Sequence, residues 1–571
     1  MTFARKYLRT PKLRTRESFF RYIEKWVLLS TVLGLLTGIV VALFDYVTNL
    51  ELWTFFSAEF SQNAILAVPV VILALLFSGL MLSKSPVPIG SGTDEVIHTY
   101  NSPDERMDIR SFPRKMFAAA VTIGLGGSAG QEGPSVYAGG VVGSWIWNRL
   151  KRTGLGDEDR RILVLAGAAA GIGAIFKAPL TGIIFALEAP FKDDLAHDAL
   201  VPSLVAAVAS YLTLIAIDGS QPLFRFPGII SLSLMDIAAS AILGLICGVA
   251  ALAFIIVYTG IEKNMRRLGK KFYIRALIGG AAVGIIGVIS VYLYGTPYPL
   301  GISYDIINLA LTPNTLTNTL LVLFVLKLLA TSFTLGSTGV GGIFIPQIVM
   351  GATVGGVFGE ALFPGRLDLF VAVGMASFLA AGYKTPLASV AFIAETTSGP
   401  GYLIPSLIAA AFSYSISGEA SVSERQKLRA EIDITQIADL TVKDVMTKTV
   451  VAVPAELSVL DFVEEYLLQY QYKTFPVVDK EGLLGRVAIS EVRNVPRERW
   501  FDVKVVDVCS KDLHPAYPDS SLQDVLDLMY RSGLGRIPVV DRLRPRRIVG
   551  IISKSDVIRA LEKERLGVLR P

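Results

Sequence analysis

Three short stretches carry the residue types from which an anion site can be built: Gly90-Ser-Gly-Thr-Asp94, Gly130-Gln-Glu-Gly-Pro134 and Gly342-Ile-Phe-Ile-Pro346. Each sets glycines before a proline or a capping-type residue, near an expected helix start. Glycine lets the backbone approach a ligand closely. Unpaired amides and the positive end of the macrodipole make a helix start a place for an anion. A site of that kind needs no lysine, so an ion can bind without being trapped. Taken singly, each stretch is better read as helix-packing glycine; three in one apolar region point to an anion pathway. Glu132 stands apart. A carboxylate between glycines in an apolar segment is expensive in a bilayer, which makes it a functional hypothesis unless it sits at a water-exposed helix end. Beside an anion site it can compete as a tethered anion, and its protonation would link proton concentration to anion occupancy.

The elements that must position these residues are apolar. The chain has 571 residues, 54 Lys+Arg against 49 Asp+Glu, a net charge of +5, 52% hydrophobic and only 18% charged residues. Soluble domains carry about 25% charge, so this composition describes a membrane protein and excludes disorder and collagen-like repeats. Cys247 and Cys509 are too few for a disulfide framework or a cysteine zinc site. His98, His197 and His514 are too dispersed for a local metal motif. Uncharged runs cover 26–44, 60–83, 199–217, 237–261, 276–304, 306–326, 328–359 and 396–418. Each is long enough to cross a hydrocarbon core, which takes roughly 20 residues. Residues 1–23 form a basic segment expected on the cytoplasmic side, with no cleavage site that would mark a removable signal peptide. The expected organisation is a membrane domain over 24–420, a charged linker over 421–438 and soluble domains over 439–496 and 497–571.

Both parts repeat internally. Shifted by 212, Gly124, Gly127, Gly130, Pro134, Gly139 and Gly143 fall on Gly336, Gly339, Gly342, Pro346, Gly351 and Gly355. Shifted by 207, Lys177, Pro179, Leu180, Phe185 and Glu188 fall on Lys384, Pro386, Leu387, Phe392 and Glu395. Paired halves with Gly/Pro-interrupted apolar segments are a transporter plan that brings helix ends to the membrane midplane. Identity alone leaves open whether the halves are inverted or parallel. In the soluble part Phe475-Pro-Val-Val-Asp479 is echoed by Ile537-Pro-Val-Val-Asp541. The first copy reads as a helix over 459–470 and strands over 474–478 and 484–489, with a turn between them.

Over roughly 24–426 these motifs resemble the CLC family of chloride channels and proton-coupled chloride exchangers. The resemblance implies an all-α polytopic fold of inverted repeats and a homodimer with one pore per subunit. It implies chloride contacts at the Ser91 hydroxyl, the loop of Gly130 and Gly133, and the Ile343 and Phe344 amides, with Glu132 as external gate. The chain departs from the family pattern in several places. Gln131 stands where the gate motif usually has Arg or Lys. Ala189 falls where the exchangers carry an internal proton-transfer glutamate, with Glu188 beside it kept. Ser423 stands near the usual position of an inner-gate tyrosine, and Tyr414 lies too early to replace it. The expectation is therefore a voltage- or pH-gated passive chloride channel. Chloride/proton antiport is the alternative, and a nucleotide-sensing membrane signalling protein is the alternative from another class. Ser91 argues for chloride over fluoride.

Residues 439–563 resemble a tandem pair of CBS domains, an α/β pair. The resemblance implies adenine nucleotide (ATP, ADP or AMP) at the second copy, through Ser553 and Asp556 of Gly550-Ile-Ile-Ser-Lys-Ser-Asp556. In the first copy Ala488 stands where the hydroxyl should be. The rival reading is a pair that only supports dimerisation. Arg542, Arg544, Arg546 and Arg547 read as a solvated basic turn. No metal, no enzyme activity and no nucleic-acid partner is expected, and the location is a plasma or inner membrane with the soluble pair cytoplasmic.

Overall fold

The structure is a computed structural model. It describes residues 16–565 apart from 84–89, 103–104, 154, 222, 225, 227–231, 270, 398–399, 429–439, 471 and 473. Most of the basic 1–23 segment therefore lies outside the described residues. The chain divides into Met1–Ala430 and Glu431–Pro571.

Among the described residues of the first unit, eight helical stretches are long and apolar enough to cross a membrane. They are Lys25–Gln62, Ala64–Ser83, His197–Asp218, Leu234–Arg267, Phe272–Tyr294, Thr317–Gly336, Phe344–Leu362 and Pro364–Tyr383. The uncharged runs located most of these and misplaced some. The run 328–359 is two helices, because Thr317–Gly336 ends and Phe344–Leu362 begins around a glycine-rich loop. The run 396–418 contains only the 14-residue helix Leu403–Ile416, short for a span. Pro364–Tyr383 escaped the charge criterion because Arg366 and Asp368 sit at its start.

The repeat is visible as matched helix triplets. Glu132–Leu150, Asp157–Ile175 and Pro179–Glu188 correspond to Phe344–Leu362, Leu367–Tyr383 and Pro386–Thr396. The first two helices of each triplet touch backbone to backbone. A Cβ on Gly139 would stand 1.8 Å from the Gly167 carbonyl oxygen, and one on Gly351 would stand 2.4 Å from that of Gly374. Small residues at such crossings let helices pack closely where there is no hydrophobic drive between them. The third helix of each triplet opens on proline at its first position, Pro179 and Pro386, where the missing N–H costs nothing. Ahead of each lies a lysine in the left-handed region, Lys177 at φ 51° and Lys384 at φ 59°.

Two reciprocal contacts tie the copies together. Gly130 N–H donates to the Gly342 carbonyl at 2.9 Å and Gly342 N–H donates to the Gly130 carbonyl at 2.6 Å. The bridge is antiparallel, so equivalent segments run in opposite directions where they meet, as inverted halves require. Glu188 accepts from Leu387 and Ala388 N–H at 3.0 and 2.8 Å. Glu395 accepts from Leu180 and Thr181 N–H at 2.9 and 2.7 Å. Each acid caps the partner copy's short helix, which satisfies first-turn amides that have no intrahelical acceptor.

The expected linker differs from what is observed. Its first part packs on the membrane unit: Val422 N–H donates to the Gly382 carbonyl at 2.9 Å, and Gln426 is 7% exposed. Buried backbone must find partners, and this stretch finds them in the membrane unit despite its charge.

In the second unit, Thr474–Asp479 pairs antiparallel with Gly482–Ala488 and parallel with Val453–Pro454. The helical segment Val459–Asp461 continues as the wider-wound Phe462–Leu467. The second expected strand stops at Ala488, because Ile489–Arg493 is already helical. The second copy pairs Arg536–Val540 antiparallel with Ile548–Ser553 between the helices Leu522–Ser532 and Lys554–Arg565. Each copy has its own core, one around Phe462, Phe475 and Val487, the other around Met529, Ile537 and Ile552.

Candidate functional site

The three glycine loops converge. Ser91 and Gly92 precede the helix Thr93–Asn101, Glu132 opens Glu132–Leu150, and Phe344 opens Phe344–Leu362. A Cβ on Gly133 would stand 2.1 Å from the Ser91 carbonyl oxygen and 2.9 Å from the Gly342 Cα. A Cβ on Gly92 would stand 2.8 Å from the Gly133 carbonyl oxygen, and Gly92 itself has φ +79°. No other residue fits that crossing. Ser91, Gly130, Glu132, Gly133, Ile343 and Phe344 are thus brought to one place.

Glu132 lies at its centre and is 1% exposed. Its Oε1 accepts from Phe344 N–H at 2.7 Å, and among the described residues Oε2 has no hydrogen-bond partner. The carboxylate rests on bare backbone: added Cβ atoms on Gly130 and Gly342 would stand 1.9 and 1.8 Å from its oxygens. A helix N-terminus is where an external anion would be stabilised, so the side chain holds the position such an ion needs. The Ser91 Oγ is buried and, among the described residues, has no partner at full hydrogen-bond geometry. The Tyr383 hydroxyl faces the side chains of Ser91 and Thr93.

The surroundings are aromatic on one side and charged on the other. Phe344 packs on Phe176, Phe185 and Phe392 with centroids 5.0, 5.5 and 5.2 Å apart. Phe185 also meets Tyr383 at 5.4 Å. Lys327 is wholly buried, within electrostatic reach of Glu132. Its Nζ donates to Ser303 Oγ at 2.7 Å and to the Gly301 and Pro299 carbonyls at 3.1 and 3.3 Å. Gln131 Nε2 donates to Asp45 at 2.9 Å, so the neutral residue at that position is engaged rather than idle.

The departures from the family pattern have definite surroundings. Ser423 Oγ donates to Asp94, the last residue of the first glycine stretch. Tyr414 donates to the Lys192 carbonyl at 2.6 Å and to Asp193 at 2.9 Å. Neither is a tyrosine at the site; Tyr383 is, and its spacing did not announce it. Ala189 is buried, and its carbonyl accepts from Gln426 Nε2 at 3.0 Å. Glu188 is used up by the caps described above.

In the second unit the Asp556 Oδ2 accepts from Ser553 N–H at 3.0 Å and from its hydroxyl at 2.6 Å. Glu491 accepts from Ala488 N–H at 2.9 Å in the first copy. Both acids are helix caps, and the Ser553–Asp556 pair also presents a hydroxyl and a carboxylate together. A cleft nearby is lined by Pro476, Arg486, His514, Arg536, Pro538 and Ile551. Of the basic turn, Arg542 pairs with Asp519 and Arg546 with Glu481. Hydrogen bonding to Arg542 holds the Asp519 carboxyl below the usual range. Among the described residues, no cluster of three or more His, Cys, Asp or Glu is placed to hold a metal ion.

Residues 73–418 match the family described as voltage gated chloride channel. Residues 442–498 and 505–563 each match the CBS domain. The chain is 26% identical over 422 residues to the H(+)/Cl(-) exchange transporter ClcA of Salmonella paratyphi B, covering 70% of this chain and 87% of that protein. A CLC-type fluoride/proton antiporter superposes with a TM-score of 0.62 at 23% identity, over 73% of this chain and all of that one. A eukaryotic CLC transporter superposes with a TM-score of 0.58 at 18% identity, over 94% of this chain and 98% of that one. At such identities the two structures speak for the fold alone.

Proposed function

The chain belongs to the voltage gated chloride channel family and is a multi-pass membrane anion transporter with a tandem CBS pair; from that premise we propose that it exchanges chloride for protons. This replaces passive conduction, expected from Ala189 and Ser423, because the named relative is an exchanger. The observation that carries the reading is the bond from Phe344 N–H to the Glu132 carboxylate. One amide serves a titratable anion and a transported one, so the two compete. Protonation neutralises the side chain and frees the amide for chloride; departure of chloride lets the carboxylate return and release its proton. Alternation of this kind links the two fluxes.

Ala189 favours the rival. A methyl group passes no proton, and the neighbouring Glu188 is fixed in a cap. Purified protein in liposomes with an imposed chloride gradient decides between them. Exchange predicts protons moving uphill against their own gradient as chloride runs down; chloride movement without protons would leave passive conduction.

The soluble pair is read as a cytoplasmic regulator binding adenine nucleotide at Ser553 and Asp556, in a homodimer. Asp556→Ala should abolish nucleotide binding by calorimetry. It should also cost about 1 kcal/mol through the lost cap. Retained affinity would move the ligand to another site, with the cleft of Arg486 and Arg536 the first candidate.

A further inference from the structure

Gln347 is a buried polar group that the site so far leaves unexplained. It is 0% exposed, and neither Nε2 nor Oε1 has a hydrogen-bond partner among the described residues. Interiors rarely tolerate that, because an unpaired buried amide forfeits its hydration with nothing in return. The usual remedy is bound water, which suits a spot offering two or more polar partners. A carboxamide supplies donors and an acceptor by itself.

Its position gives the orphan a task. Gln347 lies one turn beyond Phe344 on the same helix, and Phe344 N–H holds the Glu132 carboxylate. Its other end is pressed on Gly382, where an added Cβ would stand 1.8 Å from Oε1. Only glycine leaves room for the amide there. The next residue is Tyr383, whose carbonyl accepts from Gln426 Nε2 at 3.1 Å; the same Nε2 donates to the Ala189 carbonyl. The carboxamide is therefore connected through Phe344 on its own helix to Glu132, and through Gly382, Tyr383 and Gln426 to Ala189. Thr385, two residues past Tyr383, likewise has a buried Oγ1 without a partner. On the aromatic side Phe176, Phe185 and Phe392 offer a proton nothing to bind.

We infer that Gln347 holds the water through which protons pass between Glu132 and the inner face of the site, doing by hydration what a carboxylate at Ala189 would do by titration. The inference rests on the exchange reading. The amide does not change its own protonation. Nε2 donates to one water and Oε1 accepts from another, so the amide anchors two waters that bond directly to each other and orients the water chain that runs past it. A proton entering from the inner side displaces one along the chain, and the last is taken up by the Glu132 carboxylate. Among the described residues, the charged and titratable groups in electrostatic reach of Glu132 include Lys327, Tyr304 and Tyr383. None of them lies on the Gln347 helix.

The test is simultaneous proton and chloride flux in liposomes for wild type, Gln347→Met and Gln347→Glu. Methionine keeps length and volume and removes every hydrogen bond. It should cut protons moved per chloride about tenfold or more, the scale of losing one hydrogen-bonded link in a transfer path, while chloride flux persists. Glutamate, a polar group of the same length, should keep coupling well above that of Gln347→Met. Wild-type coupling in Gln347→Met overturns the inference and spares the exchange reading. Equal loss of both fluxes in Gln347→Met, with Gln347→Glu no better, makes the residue structural and overturns it too. A wild type that moves no protons sinks both.

Discussion

Glu132→Gln should reduce coupled proton movement by about a hundredfold or more, the scale on which losing an essential proton-transfer group acts. Chloride flux should survive and lose its pH dependence. The geometry argues for both halves. Glutamine is isosteric, and its Oε1 can still accept from Phe344 N–H, so the bare glycines at 130 and 342 accommodate it without a clash. What disappears is the change of charge. The wild-type side chain is a strong competitor for the amide when ionised and a weak one when neutral, since hydrogen bonds to charged acceptors are roughly twice as strong as neutral ones. Glutamine is fixed at the weak end. Chloride then meets the same modest competition at every pH, and no proton is carried in return. The measurement is flux from pH 4 to 8 with both ions recorded. A Glu132→Gln protein with a wild-type pH profile would assign the titration to another group.

The loops of this site were legible because close packing of backbone admits few residues. Gly92, Gly133 and Gly342 meet one another at distances that exclude a Cβ, and Gly342 repeats Gly130 because the halves repeat. Where function rests on a side chain's neighbours, the sequence is silent. Gln347 reads as one polar residue in an apolar helix until Gly382 is found against it. Tyr383 occupies the position matching Phe176 in the other half, and only the fold turns its hydroxyl toward Ser91. Glu188 sits beside Ala189 in the sequence, and only the fold gives both its oxygens to the Leu387 and Ala388 amides. The Ser553-x-x-Asp556 spacing has two meanings, since it is also the pattern of a helix cap, and the structure displays the cap. Hydropathy failed at 337–343 for a related reason. A loop that lines a site in the membrane interior needs no charge, so nothing in the run announced a break.

Lys327 was the charge that separated the runs 306–326 and 328–359, and its burial makes Lys327→Met the second large effect. An ammonium is costly to take out of water unless acceptors surround it. Here Ser303, Gly301 and Pro299 supply three. A buried acceptor left without its donor typically costs about 1–3 kcal/mol, and methionine would strand all three. The same change removes a positive charge within reach of Glu132. Gln131 is neutral, so loss of the basic group at Lys327 is expected to weaken the attraction for an entering anion. Lys327→Met should therefore melt earlier in detergent and bind chloride more weakly. Lys327→Arg keeps the charge and should retain more of the chloride affinity than it does of the stability, because a broader guanidinium fits poorly among acceptors arranged for a point charge. Melting curves and chloride titrations on both variants separate the two roles. If Lys327→Met loses stability but keeps full chloride affinity, the ammonium is a brace for the 299–303 turn and contributes nothing to drawing in the ion.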